Sequence, residues 1–335
     1  MNSIKFNKTA YDPKIDFIKG LCILFVVWTH CMYREELRTI LFPYWGDTAV
    51  PIFLLIQVFH YFKKGTETRM PSLQKLFKRI VGPFIAMLAL MFLVQYIIYY
   101  DSTNGVFSLS LYWDKRGPGS YYVFVYLEFA LLLPLLAPLF KRLSTPWLCL
   151  LFLLLSQLTE TICSLTQCPD SIYRITFFRY IFLVFLGYLL ACRGLVLNVA
   201  TITLGLLGAI FIYLFSYTNT DMQPLFCTNL GNWPLCHWIC YFYIAYLFMA
   251  VLQWLYAKLQ HCRTLVTIIQ QIGVYSYEVY LFQIFYYATL SFYVAKWLSP
   301  LSSHVVQRLL YIFISTFICA LPAAYLYYRK QRNNN

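Results

Sequence analysis

The sequence predicts an all-α fold, a polytopic membrane helix bundle of about ten transmembrane helices with both termini cytoplasmic. Three observations carry that expectation. The 335-residue chain is 61% hydrophobic and only 12% charged, with a mean hydropathy of +0.63; a water-soluble domain of this length cannot bury so much apolar surface. Apolar runs recur from Ile15 to Tyr328 at lengths suited to a bilayer. Lys and Arg are distributed unevenly among the gaps between those runs.

The first run is flanked by Lys5, Lys8 and Lys14 but is long and has no small-x-small cleavage site after it. It reads as a retained span rather than a removable leader. Windows of about 20 apolar residues place helices near 14–33, 47–62, 80–100, 121–140, 147–164, 176–192, 195–216, 234–257, 267–297 and 306–328. The second is short for a span; the ninth is long enough to tilt or to begin as an interfacial turn. The polar gaps leave no room for a second domain, so 1–335 reads as a single transmembrane domain spanning roughly 14–328.

With both termini inside, 18 of the 26 Lys and Arg fall on the inner side and 8 on the outer, as the positive-inside rule requires. The net charge of +13 therefore follows from topology, and no nucleic-acid partner is expected. The eleven cysteines form no CxxC, and an odd number cannot form a complete disulfide framework. Cys163 and Cys168 share one predicted external loop and are able to pair there. Cys236 and Cys240 flank His237 with ligand-like spacing, but buried apolar roles fit them better and no metal centre is expected.

The first helix holds the densest chemistry, in the stretch DFIKGLCILFVVWTH (16–30). Lys19 and His30 are eleven residues apart, about 20° beyond three whole turns, so they share a face about 16 Å apart along the axis. Asp16 is three residues before Lys19, close enough to pair with it. Charged residues within spans usually face a bundle interior or a wet cavity. Two simpler roles stay open: Lys19 snorkelling to the inner interface and His30 packing near the outer one.

Lys19, ten intervening residues and then His30 resemble the first-helix hallmark of the membrane acyltransferase 3 family. Further segments extend the resemblance in the expected order. WGDTAVPIFLLIQVFHYFKKG (45–65) is similar to the family's second helix, and LQKLFKRIVGPF (73–84) to its basic entry into the third. GPGSYYVFVYLEFALLLPLL (117–136), FFRYIFLVFLGYLLA (177–191) and IGVYSYEVYLFQIFYY (272–287) are similar to later segments. The chain departs from relatives at Gln57-Val58, where many have Ser-Gly. It also departs at Lys75-x-x-Lys78 followed by Arg79, where the family has Arg-x-x-Arg, and near Gln283, where many have His.

The resemblance implies transfer of an acyl group, usually acetyl, from acyl-CoA to a hydroxyl of a cell-surface or lipid-linked glycan, with no permanently bound cofactor. It also suggests a bacterial inner membrane. A sugar hydroxyl needs a base, which His30 would supply; alternatively His30 carries the acyl group itself. Lys19, Lys75, Lys78 and Arg79, with Lys63 and Lys64, cluster at predicted cytoplasmic helix ends, where they suit the phosphates of acyl-CoA. Attraction to anionic lipid explains part of the same charge. His60 sits at the same level.

Glu128 and Glu278 fall within apolar runs and need partners or water. Arg174 and Arg179, at the outer start of the sixth span, are candidate partners for them or contacts for an acceptor glycan. A structural tie between helices is the alternative for either acid. The turn GPGS (117–120) suits a helix start with Ser120 as cap. No GxSxG, HExxH or phosphate loop is present. The rival functions are a multi-span transporter or flippase and a polymerase of a glycan intermediate. The first predicts inverted repeats with Gly/Pro-broken helices and the second a large external loop, and the sequence has neither clearly.

Overall fold

The computed structural model describes residues 12–64, 70–99, 119–218, 220–227 and 237–334. Every regular element among them is helical. In chain order these are α1 (Pro13–Thr29), α2 (Arg34–Thr39), α3 (Phe42–Trp45) and α4 (Ala49–Lys63). Then α5 (Leu73–Leu76) passes through a π turn (Phe77–Val81) into α6 (Gly82–Tyr99). There follow α7 (Tyr122–Arg142), α8 (Thr145–Leu165), α9 (Asp170–Ile175) and a 3₁₀ turn (Phe177–Tyr180) that opens α10 (Ile181–Arg193). α11 (Val199–Tyr217) precedes α12 (Cys240–Phe242), whose π segment (Tyr243–Phe248) continues as α13 (Met249–Leu259). The chain ends in α14 (Arg263–Val274), α15 (Ser276–Thr289), α16 (Ser291–Leu298) and α17 (His304–Asn334).

Seven helical stretches among the described residues are long and apolar enough to cross a bilayer: Phe42–Lys63, Leu73–Ile97, Tyr122–Arg142, Thr145–Leu165, Val199–Tyr217, Cys240–Leu259 and His304–Asn333. This is a multi-pass membrane protein. The three remaining expected spans are shorter or interrupted. The first is α1, of 17 residues; the sixth divides between the 3₁₀ turn and the 13 residues of α10. The ninth apolar run breaks at Tyr275 and Leu290 into α14, α15 and α16. Hydropathy could not reveal those breaks, because the run is apolar on both sides of each. Within it, α14 is amphipathic, burying Val266, Ile269 and Ile272 and exposing Leu265 and Ile268.

The helix faces are arranged for lipid. α8 buries Leu148, Phe152, Ser156, Glu160 and Ser164 at intervals of four, and exposes Leu150, Leu154, Leu158 and Ile162 on the opposite side. Its polar residues are thus inside and its aliphatic ones outside, the arrangement expected where the solvent is hydrocarbon. α17 repeats it, with Ser315, Cys319 and Ala323 buried and Leu309, Phe313, Phe317 and Leu321 exposed.

The residues group into two compact units, each assembled from separated segments. One comprises Met1–Ile15, Leu37–Pro71 and Phe124–Arg263; the other comprises Asp16–Glu36, Ser72–Val123 and Thr264–Asn335. In the first unit α10 is central. Six consecutive residues, Ile181 to Leu186, are buried, as befits a helix apolar all round. It packs on α4, where a methyl on Gly187 would lie 2.6 Å from Val58.

In the second unit α1 meets α14 at its backbone. A methyl on Gly20 would stand 2.0 Å from the Ile269 carbonyl oxygen, and one on Gly273 would stand 1.7 Å from the Asp16 carbonyl oxygen. Small residues allow such an approach between membrane helices. α6 joins α15 through buried Gln95, whose Nε2 donates to the Ala288 carbonyl at 3.1 Å.

Since backbone atoms cannot yield as a side chain can, Gly273→Ala should destabilise the protein by about 2–3 kcal/mol. The expected outcome is a clearly lowered thermal unfolding midpoint in detergent, followed by tryptophan fluorescence; an unchanged midpoint would show that the helices are not in backbone contact.

Candidate functional site

The expected site residues divide between the two units. Asp16, Lys19, His30, Lys75, Lys78, Arg79 and Glu278 lie in one; His60, Glu128, Arg174 and Arg179 lie in the other.

In the former, Lys19 Nζ pairs with Asp16 Oδ1 at 2.6 Å, as the i,i+3 spacing predicts. Lys75, Lys78 and Arg79 are exposed on α5 and the π turn that follows. Two contacts place that turn and the start of α1 beside the same stretch of chain. Gly273 abuts Asp16 and Gly20, and Tyr277, four residues on, donates its hydroxyl to the Ile80 carbonyl at 2.6 Å. The basic residues of α1 and of the π turn therefore share one end of this unit.

His30 lies just beyond the last residue of α1. Its N–H bonds to the Val27 carbonyl at 3.1 Å and that of Cys31 to Trp28 at 3.0 Å, i→i−3 bonds that tighten the final turn. His30 is thus rotated somewhat from its straight α-helical projection relative to Lys19. Its imidazole meets the Tyr287 ring edge-on, with centroids 5.4 Å apart. The Tyr287 hydroxyl donates to the Val27 carbonyl at 2.9 Å. It lies 2.9 Å from Cys31 Sγ, so the thiol is left to donate to it. Below sits a core of Val27, Cys31, Tyr286 and Cys319, flanked by Trp28 and Tyr311. Trp28 Nε1 donates to Thr316 Oγ1 at 3.0 Å.

Beyond His30 the chain is clasped by Arg308. Its Nη1 donates to the Cys31 carbonyl at 3.0 Å and its Nε bonds Glu36 Oε1 at 3.1 Å. Its guanidinium lies 4.1 Å from the Tyr33 ring centroid, while Glu36 Oε2 accepts the Tyr33 N–H at 2.8 Å.

Glu278 needs no buried partner. It is exposed in the first turn of α15, where a carboxylate is favoured by the helix dipole. At the start of the preceding apolar segment, Gly119 has φ +83°, a conformation that suits glycine. Its carbonyl accepts the Tyr122 N–H at 3.0 Å and the Tyr280 hydroxyl at 2.8 Å. Gly117 and Pro118 of the GPGS turn lie outside the described residues.

In the other unit His60 is on α4, its ring 5.6 Å from that of Phe59. Glu128, on α7, lies beside the Phe177 backbone of the 3₁₀ turn. Arg174 pairs with Asp170 at 2.7 Å, one turn away on α9. Arg179 is 1% exposed, its guanidinium 4.3 Å from the Tyr173 ring centroid and 5.2 Å from that of Tyr180. It is a core residue, with no open surface for a glycan.

The same unit contains a buried polar centre that the sequence did not signal. Glu160 is wholly buried. Its Oε2 lies 3.0 Å from His237 Nδ1 and accepts the Cys227 N–H at 3.1 Å, while its Oε1 accepts the Tyr173 hydroxyl. Of the ligand-spaced Cys236, His237 and Cys240, Cys240 is buried as expected and His237 faces a carboxylate; Cys236 lies outside the described residues.

A family model described as an acyltransferase domain matches residues 12–329, a range that includes all the site residues named above. The chain belongs to that acyltransferase family. No curated protein and no solved structure matches it. The residues that the sequence did not signal (Tyr287, Arg308, Glu36 and Glu160) make long-range contacts, which a local pattern cannot report.

Glu160 illustrates the structural class. Replacing it with Gln removes the charge facing His237 in a buried site. The expected outcome for Glu160→Gln in this acyltransferase is a loss of about 3 kcal/mol in stability, measured as a lower unfolding midpoint. Any loss of activity should track the loss of folded protein rather than exceed it.

Proposed function

We propose that this membrane acyltransferase moves an acyl group, most simply acetyl, from acyl-CoA to a hydroxyl of a cell-surface or lipid-linked glycan. The chain acts as a single transmembrane domain with both termini cytoplasmic, in a bacterial inner membrane. The observation that carries this reading is the polarity of α1: an Asp16–Lys19 pair near its start and an imidazole just past its end, in a chain of the acyltransferase family.

In this reading the phosphates of acyl-CoA rest among Lys19, Lys75, Lys78 and Arg79. Lys78 and Arg79 are exposed and hold charges suited to phosphate. The thioester arm follows α1 toward His30. There the imidazole takes the proton of the sugar hydroxyl as oxygen attacks the thioester carbon, and returns it to the departing thiolate. An acyl-imidazole stage is the variant in which His30 itself attacks first. Among the described residues neither imidazole nitrogen is engaged by a neighbouring side chain, which leaves both for this work. T-shaped packing with Tyr287 fixes the ring.

Two measurements test the roles separately. His30→Ala, in membranes containing equal amounts of protein, should lower acetyl transfer from labelled acetyl-CoA to glycan by about 10²–10⁴-fold; unchanged incorporation would sink the mechanism. Lys78→Ala and Arg79→Ala should each raise the half-saturating acyl-CoA concentration severalfold and leave the saturated rate nearly intact. A fall in the saturated rate alone would remove them from the donor site.

A further inference from the structure

The end of α8 has a geometry of its own. Gln167 adopts φ +48°, and its N–H bonds to the Ser164 carbonyl at 3.2 Å. The next N–H, from Cys168, bonds back to the Cys163 carbonyl at 2.9 Å. This pair of bonds, 5→2 and 6→1 around a left-handed residue, is the Schellman cap. In that cap the side chains three residues inside the helix end and two beyond it are normally an apolar pair in contact. Here both are cysteines. The Cys168 thiol donates to the neighbouring Pro169 carbonyl at 3.7 Å, and both cysteines are half-buried rather than sealed in the core.

We propose that Cys163 and Cys168 are a redox-active modification site, a vicinal thiol pair that closes to a disulfide across the α8 cap. The bond from the Cys168 N–H to the Cys163 carbonyl holds the two residues side by side at the cap, where a Schellman cap normally places two side chains in contact. The co-reactant is a disulfide donor, either a protein disulfide or a low-molecular-weight one. One thiolate attacks a donor sulfur and forms a mixed disulfide, releasing the first donor thiolate. The second thiol then displaces the remaining donor sulfur. One S–S bond forms, the donor's S–S bond breaks, and the two donor sulfurs leave as thiols, carrying the two hydrogens of the cysteines.

The location gives the closure a consequence. Cys163 is one turn beyond Glu160 on α8, and Tyr173, five residues after Cys168, donates its hydroxyl to that same carboxylate. The corner between α8 and α9 therefore sets both members of a buried contact, and closing the cap fixes the corner. Cys227, whose N–H bonds Glu160, is the competing thiol, but it is buried and not part of the cap.

The proposal rests on the orientation above, which puts this cap on the outer side, where disulfides persist. The full chain in native membranes is acid-quenched, alkylated with N-ethylmaleimide and digested with trypsin. Residues 143–174 form one tryptic peptide with three cysteines, Cys149, Cys163 and Cys168. The expected result is one maleimide on that peptide before reduction and three after. In Cys163→Ser or Cys168→Ser, the remaining partner should become alkylatable without reduction. Three maleimides before reduction, persisting after the membranes are treated with oxidised glutathione, would overturn the proposal, as would a link from either cysteine to Cys227. A membrane-impermeant maleimide on intact cells separates the causes of failure. Free thiols within its reach would refute the pair itself, and free thiols beyond its reach would refute the orientation. Neither result bears on His30, which glycan acylation reports separately.

Discussion

A helix in hydrocarbon has no water to satisfy a polar side chain, so each such group must find its partner within the protein or line a wet space. That constraint organises the faces of this acyltransferase. α8 turns Ser156, Glu160 and Ser164 inward and a row of Leu and Ile outward. Gln95 is buried and spends its amide on a backbone carbonyl of α15. Thr29, Thr159 and Thr289 return their hydroxyls to carbonyls four residues earlier in their own helices, the cheapest satisfaction available to a hydroxyl on a helix. Where the constraint is met by long-range bonds, the helices are fixed in register; where it is met locally, they remain free to slide against lipid.

α1 meets the same constraint with a backbone contact. Gly20 and Gly273 bring α1 and α14 closer than any side chain would allow. The chain continues from Gly273 to Tyr277, which fastens the Ile80 carbonyl. Two glycines and one tyrosine hydroxyl therefore hold the Asp16–Lys19 pair and the cationic π turn to one neighbourhood. The far end of α1 is held by other means: the Tyr287 hydroxyl, the indole of Trp28 and the Arg308 clasp on the Cys31 carbonyl. An element anchored at both ends keeps its polar groups at a fixed separation.

The sequence revealed what depends on neighbours along one helix. The Asp16–Lys19 pair was readable from a spacing of three, and the apolar runs were readable from hydropathy. The break of the ninth run at Tyr275 was not, since the residues on either side are equally apolar. The shared face of Lys19 and His30 was readable only to the point where the helix tightens, because i→i−3 bonding changes the angle per residue. Arg174 was a candidate partner for distant acids; the structure gives it Asp170, four residues away, a contact that spacing alone could have suggested. Glu160 and His237 lie 77 positions apart, and nothing near either residue in the sequence names the other. A contact of that range is encoded in packing, for which no local pattern stands proxy.

Burial does not by itself separate a structural polar group from a chemical one, but saturation does. Glu160 has its two oxygens committed to Tyr173, Cys227 and His237. A substrate proton could reach them only by displacing a partner, leaving a buried donor unsatisfied at a cost of about 1–3 kcal/mol. His30 is oriented by a different economy. Its backbone is fixed by Val27, its ring by T-shaped packing with Tyr287, and neither contact consumes a ring nitrogen. Tyr287 in turn is held by Val27 and Cys31, so the positioning group is saturated while the group it positions is not. This division between fixed support and uncommitted imidazole, rather than the presence of a histidine in a helix, is what the proposed role of the end of α1 rests on.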